Sequence, residues 1–335
     1  MRALLTEIIG GAPDLEVVGA APDPIAARDM IKVLSPDVLT LDVEMPKMDG
    51  LEFLGRLMKL RPMPVVMISS LTAKGSEVTL QALELGAVDF VAKPRAENPA
   101  LLQAYAEEIR DKIRAAKTAH LRRPPSASAM PVARSAAPSG LSSRIQNEKL
   151  IAIGASTGGT EAIKEVLVRL PAEMPGIVMV QHMPETFTPS FAKRLDSLSA
   201  LRVIEAQGGE RIQPGHAYLA PGHSHLTVKR SGSGWVTELN QNEPVNRHRP
   251  AVDVLFNSVA KEVGRNALGI ILTGMGKDGA QGMLAMKQAG AWNIGQDQES
   301  CVVYGMPREA ALVGAVDEVV SLNNVASRVL ARLQH

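Results

Sequence analysis

The chain has almost no cysteine. Cys301 stands alone among 335 residues, which excludes an internal disulfide framework and points to a reducing, cytoplasmic compartment. Neither sign of charge is in excess, because 36 Lys and Arg face 35 Asp and Glu for a net charge of +1. That balance lacks the basic surplus of an electrostatic DNA binder, so no nucleic-acid partner is expected. No apolar run approaches the roughly 18 residues that cross a bilayer, and membrane insertion is not expected. The opening residues, Met1 to Glu7, carry neither the long apolar core nor the cleavage site of a signal peptide. What is present is ordinary for a globular protein: 45% apolar and 21% charged residues, in a length that suggests two domains.

Composition changes sharply between His120 and Asn147. Arg122-Arg123-Pro124-Pro125-Ser126 and the Ala, Ser and Pro residues that follow have almost no apolar side chain to bury, so they cannot offset their ordering entropy. We read residues 118–148 as a flexible linker between a first domain, 1–117, and a second, 149–335. Residues 115–149 hold six basic residues and one Glu, a local charge of +5 that leaves −4 for the rest. The basic excess belongs to a solvated tether rather than to a nucleic-acid-binding arm.

In the first domain, Val38 to Asp42, Pro64 to Ser69 and Val88 to Lys93 are apolar on both faces, as buried parallel strands are. Helix-like segments, Ile25 to Leu34, Leu51 to Leu60 and Ser76 to Leu85, alternate with them, which predicts a doubly wound α/β domain. Asp42, Ser69 and Lys93 then lie at three successive strand ends, where such sheets collect their chemistry. A carboxylate facing a hydroxyl and an ammonium suits phosphoryl transfer: Asp42 attacks phosphorus, Ser69 donates to a phosphoryl oxygen and Lys93 offsets the added charge.

Over about residues 14–117 the chain resembles the flavodoxin-like receiver domain of response regulators, most specifically in Leu41-Asp42-Val43-Glu44-Met45-Pro46-Lys47-Met48-Asp49-Gly50. The resemblance implies Asp42 as phospho-acceptor, Ser69 as switch hydroxyl, Phe90 as switch aromatic and Lys93 as the receiver lysine. It also implies Mg²⁺ for phosphorylation, held in part by Asp42. Receivers open with a strand ending in two acidic residues, and that first strand is missing here. Leu4, Leu5, Ile8 and Ile9 instead mark a helix face at the start. The expectation is a natural start about 10–20 residues upstream, since a central strand's absence leaves backbone groups unpaired at about 1–3 kcal/mol each.

After the linker the alternation resumes. Leu150 to Gly154 reads as a strand, Glu161 to Leu170 as a helix, Gly176 to Gln181 as a strand; Leu268 to Thr273 and Ala291 to Ile294 flank the helix Ala280 to Gln288. Leu201 to Leu239, broken by Pro214-Gly215, Pro221-Gly222 and Ser231-Gly232, reads as a β-rich insertion. Gly154-Ala155-Ser156-Thr157-Gly158-Gly159 closes a strand and opens a helix, lifting Ser156 out of a sharp turn at a positive helix terminus. His182 ends the next strand, and Asp278 follows a later one. Nucleophile, base and orienting carboxylate can therefore meet at one sheet edge. The frame also fits a dinucleotide loop, but its middle glycine is Ser156, and Gln181-His182 replaces the ribose-binding acid.

The order Ser, His, Asp on such a sheet is similar to the chemotaxis methylesterase family of the response-regulator type (CheB) over about Lys149 to Leu333. The matching segments include Ile153 to Gly159, Val180 to Pro184, Leu219 to Gly222, His248 to Phe256, Leu272 to Gly279 and Ser300 to Pro307. The resemblance implies a doubly wound serine esterase domain with Ser156, His182 and Asp278 as triad and backbone near Thr157 and Met275 as oxyanion hole. It implies hydrolysis of glutamate methyl esters on chemoreceptors, deamidation of their glutamines, a chemotaxis histidine kinase as phosphodonor, and no cofactor for catalysis. It implies too that the receiver restrains the esterase until phosphorylated.

Rival readings are a DNA-binding response regulator, which needs a basic helix-turn-helix output, and a non-catalytic receptor-binding module. His216, His223 and His225 suit turn and surface roles better than zinc, Cys301 suits a buried apolar role, and Asp253 is a lesser alternative to Asp278.

Overall fold

A computed structural model of the chain describes residues 1–45, 49–93, 99–121 and 140–334. Most of the expected linker, 122–139, lies outside the described residues, as do Pro46, Lys47 and Met48 of the Asp42 motif. The chain forms two units, Met1–Ser126 and Ala127–His335.

The first unit runs α1 (Arg2–Gly10), α2 (Pro24–Leu34), β1 (Leu39–Asp42), α3 (Gly50–Leu60), β2 (Val65–Ser69), α4 (Ala73–Glu84), β3 (Asp89–Ala92) and α5 (Pro99–Lys117). Its three strands form a parallel sheet in the order β1-β2-β3, with Asp42 opposite Ile68 and Ser69 opposite Ala92. Every residue of β2 is buried, as an apolar central strand demands. Helix starts follow local capping. Asp23 accepts from the Ile25 and Ala26 amides at 3.0 and 2.9 Å ahead of Pro24, and Asp49 accepts from Leu51 at 3.0 Å. Thr72 Oγ1 accepts from Gly75 N at 3.0 Å, so α4 begins three residues before the Ser76 that periodicity suggested. The opening helix is tied to α5: Arg110 Nε donates to Ile8 O, and Arg114 grips Asp14 with two nitrogens at 2.8 and 2.9 Å.

The second unit runs α6 (Ser143–Glu148), β4 (Leu150–Ala155), α7 (Gly159–Leu167), β5 (Gly176–Gln181), α8 (Thr188–Leu198), β6 (Arg202–Glu205), β7 (His216–Leu219), β8 (His225–Ser231) and β9 (Gly234–Asn240). It continues with α9 (Val252–Glu262), β10 (Ala267–Ile271), α10 (Ala280–Gln288), β11 (Trp292–Gln296), α11 (Met306–Leu312), β12 (Glu318–Val320) and α12 (Leu322–Gln334). Seven strands lie parallel in the order β12-β11-β10-β4-β5-β7-β6. The chain leaves β4 in one direction toward β5 and later returns to β10 on its other side. The carboxyl ends of β4 and β10 therefore border the crevice where doubly wound sheets bind ligands.

One expectation needs correction. Leu201 to Leu239 is not a single insertion: β6 and β7 extend the main sheet, and only β8 and β9 stand apart as an antiparallel hairpin. Ala217 to Leu219 are buried, which is the mark of a strand covered on both faces rather than of a solvated excursion. The hairpin turns at Gly232, whose φ of 59° glycine adopts without steric cost. This unit, built on a parallel seven-stranded sheet, also differs from the basic helical module that a DNA-binding regulator requires.

Strands β4, β5 and β10 are buried throughout. Their large aliphatic side chains contribute about 1.5–3 kcal/mol each through burial, and they make the central sheet the rigid part of the unit. α9 lies close against β4 because residue 154 is glycine: a Cβ there would come within 3.2 Å of Phe256 Cζ. Among the described residues no helix is long and apolar enough to cross a membrane.

Candidate active site

Ser156 sits in the turn between β4 and α7. Its amide donates to Thr273 O at 3.1 Å, and its carbonyl accepts from Gly159 N at 2.7 Å and from Gln181 Nε2 at 2.9 Å. The turn is closed by Gly158 at φ 76°, where a Cβ would come 2.6 Å from Val302. From the facing loop Gly274 approaches so closely that a Cβ on it would lie 2.8 Å from Ser156 Cβ. The helix thus starts at Gly159, two residues before the expected Glu161.

His182 follows β5, its side chain 7% exposed. Its Nε2 lies 2.7 Å from Asp278 Oδ2, while Nδ1 is buried with no hydrogen-bond partner. The carboxylate therefore fixes the proton on Nε2 and leaves the Nδ1 lone pair as the basic site. The ring of His248 stacks on His182 with centroids 3.7 Å apart and planes 15° from parallel. Ser156 Oγ makes no hydrogen bond to His182.

Asp278 is 2% exposed yet well supplied with donors. Oδ2 accepts from His182 Nε2 and from Val252 N at 2.7 Å; Oδ1 accepts from Asn246 Nδ2 at 2.8 Å and Asp253 N at 3.1 Å. Val252 and Asp253 open α9, so a helix N-terminus faces the carboxylate. Burial pushes this carboxyl up, but the His182 hydrogen bond and charge, with the Val252 and Asn246 donors, hold it well below the usual range. Asp253, weighed as an alternative acid, does not touch His182. Its oxygens accept from Gly282 N at 2.7 Å and Asn246 Nδ2 at 2.8 Å. Burial raises its pKa, and the Asp278 charge adds to that rise.

Thr157 is buried behind Ser156, its carbonyl accepting from Thr273 Oγ1 at 3.0 Å. Met275 is half-buried after Gly274. His216, His223 and His225 go separate ways: His216 Nδ1 to Pro214 O, His223 Nδ1 to Ser224 Oγ, and buried His225 to Glu243 O and Ala251 N. Cys301 is buried. Asn246, Gln181 and the opening of α9 were not singled out as site residues from sequence. Asn246 lies 32 residues from the carboxylate it serves, and no local pattern announces it.

In the first unit Lys93 Nζ lies 2.9 Å from Asp42 Oδ1 and 3.5 Å from Glu44, and Glu44 N donates to Asp42 Oδ1 at 2.9 Å. Ser69 is fully buried and points into the start of α4, donating to Gly75 O at 3.3 Å and accepting from Thr79 Oγ1 at 2.6 Å. Phe90 is buried beneath Lys112, whose ammonium lies 5.1 Å from the ring centroid and donates to Phe90 O. Among the described residues no three His, Cys, Asp or Glu gather as a metal site. With Lys93 already on Asp42, the carboxylates present do not by themselves make a Mg²⁺ site.

Residues 151–329 match the model of the CheB methylesterase family, and residues 1–106 match that of the response regulator receiver domain. The chain is 64% identical to a protein-glutamate methylesterase/protein-glutamine glutaminase of Nitrosomonas europaea, over 99% of this chain and 93% of the relative. A protein of the same description from Dechloromonas aromatica is 63% identical over 98% and 94%. Among solved structures, the CheB methylesterase catalytic domain of Thermotoga maritima is 39% identical, with a TM-score of 0.54, covering 55% of this chain and 98% of that one.

Proposed function

This chain belongs to the CheB methylesterase family, and from that premise we propose that it is a phosphorylation-regulated protein-glutamate methylesterase and protein-glutamine glutaminase working through Ser156, His182 and Asp278. The observation that carries the catalytic reading is the contact of His182 Nε2 with Asp278 Oδ2 at 2.7 Å, with Nδ1 buried and unpartnered at the sheet edge where Ser156 turns.

His182 Nδ1 takes the Ser156 proton as Oγ attacks the γ-carbonyl of a methylated glutamate. The imidazolium so formed is stabilised by Asp278, which the donors around it keep ionised. Backbone N–H groups of Thr157 and Met275 receive the oxyanion, next to the positive end of α7. The imidazolium returns its proton to the leaving oxygen, methanol departs, and water releases the acyl-enzyme by the same base. With a glutamine side chain the leaving group is ammonia and the acyl-enzyme is the same.

The substrates are chemoreceptors in chemotaxis adaptation, and a cytoplasmic location follows from them. A histidine kinase supplies phosphate to Asp42, with Lys93 offsetting its charge and Ser69 and Phe90 changing position in response. Mg²⁺ would assist that transfer, with Asp42 as one of the groups that hold it. The direct test is methanol release from methylated receptor membranes, with the Ser156→Ala protein as control. Equal release by both would overturn the assignment.

A further inference from the structure

One of the four hydrogen bonds on the carboxylate of Asp278 comes from a strap, residues 243–251, that leads into α9 and belongs to neither of the strands preceding Ser156 and His182. Two contacts of buried His225 clasp the strap at its ends, Nε2 to Glu243 O at 3.1 Å and Nδ1 to Ala251 N at 3.2 Å. Arg249 Nη1 adds bonds to Gln241 O and Asn242 O at 3.1 and 3.3 Å. Between the clasps, Val245 and His248 exchange backbone bonds at 3.0 and 2.9 Å around a two-residue turn, Asn246-Arg247. Both turn residues have positive φ, 53° and 68°. Such a turn favours glycine or Asn at its first position, and glycine would meet the backbone demand alone.

What Asn adds is its amide. Nδ2 lies 2.8 Å from Asp278 Oδ1 and 2.8 Å from Asp253 Oδ2, so one NH₂ group spans two buried carboxylates that repel each other. With Asp253 N on the same oxygen of Asp278, and His182 and Val252 on the other, each oxygen has two donors. Rotation of the carboxylate out of the plane facing His182 breaks at least one of these bonds. Asn246 contributes the one side-chain donor on Oδ1 among the described residues.

We propose that Asn246 is a positioning residue of the esterase reaction, its amide locking Asp278 in the orientation that serves His182 and separating that carboxylate from Asp253. The proposal rests on the triad reading above. Asn246 touches no substrate and acts through Asp278.

The test uses the full chain with Asn246→Gly, which keeps the positive φ and removes the amide, and Asn246→Ser, whose single hydroxyl hydrogen cannot bridge both carboxylates. Expected for the glycine variant is a kcat for methanol release reduced about 10- to 100-fold, the range set by one charge-assisted hydrogen bond, with KM changed less than about twofold. The acid limb of the kcat profile should move to higher pH, because an Asp278 with one donor fewer holds the imidazolium proton more strongly. The serine variant should fall between. Ser156 labelling by a fluorophosphonate separates the two ideas: no labelling of the parent protein refutes the triad reading. A labelled parent with parental labelling and an unmoved acid limb in Asn246→Gly refutes this proposal. So does a lowered Tm with the limb unmoved, or failure of both variants to fold, since either assigns Asn246 to the fold rather than the reaction.

Discussion

Nε2 of His182 lies 2.7 Å from Oδ2 of Asp278, although 96 residues separate them in the chain. The pairing uses the ring in one sense only: the nitrogen facing the carboxylate carries the proton, and Nδ1 is left without a hydrogen-bond partner.

Ser156→Ala should abolish methanol release and leave the fold intact. The change removes one hydroxyl at a half-buried turn that makes no hydrogen bond to His182, so stability should shift by less than about 1 kcal/mol. Asp278→Asn should cost about 10⁴ in kcat, because the amide favours the wrong tautomer of His182. Single-turnover assays on methylated receptor membranes read both.

Gly274→Ala should act on Ser156 from across the crevice. The added methyl would stand 2.8 Å from Ser156 Cβ and 3.1 Å from its amide nitrogen. Relief requires moving the Met306 side chain, whose Sδ is nearer still, as well as the nucleophile or its turn, at about 1–3 kcal/mol of stability. A displacement of even 1 Å costs about 10²-fold in rate. A variant with parental kcat and parental Tm would show that the loop yields freely.

Asp278 should make the second unit acid-sensitive. Its carboxyl lies below the ordinary value in the folded state, so its contribution is complete above the unfolded carboxylate range. It is lost as pH falls from about 3.8 toward about 2. Both tryptophans of the chain, Trp235 and Trp292, are in the second unit, so their fluorescence in urea melts follows that unit alone. The parent should lose stability across this window, and Asp278→Asn should lose less. Equal losses would remove Asp278 as the source.

Asp42→Asn should abolish stimulation of methanol release by a small acyl phosphate while leaving the unstimulated rate within about twofold. The asparagine cannot form the acyl phosphate, yet it keeps an oxygen near Lys93. Stimulation that survives the substitution would place the phosphate elsewhere.

Most of the fold was open to reading along the chain, because a buried parallel strand is a run of apolar residues whatever lies beside it. The strands ending at Asp42, Ser69, Gln181 and before Thr273 each declare themselves in four to six residues. Capping also acts within three residues, yet the starts of α4 and α7 were misjudged by two or three positions. There a threonine and a positive-φ glycine outweighed periodicity.

Side-by-side placement was another matter. That β6 and β7 join the main sheet depends on pairing across the molecule, which no local pattern encodes. The amino-acid sequence alone, through strand-end residues and their order, determined the identity of Ser156, His182 and Asp278 as candidates. Only the tertiary structure decided which ring nitrogen meets the carboxylate, that Asp253 does not, and that Asn246 and the first amides of α9 hold Asp278 in place. A hydrogen bond depends on distance and angle between groups that the folded chain alone brings together.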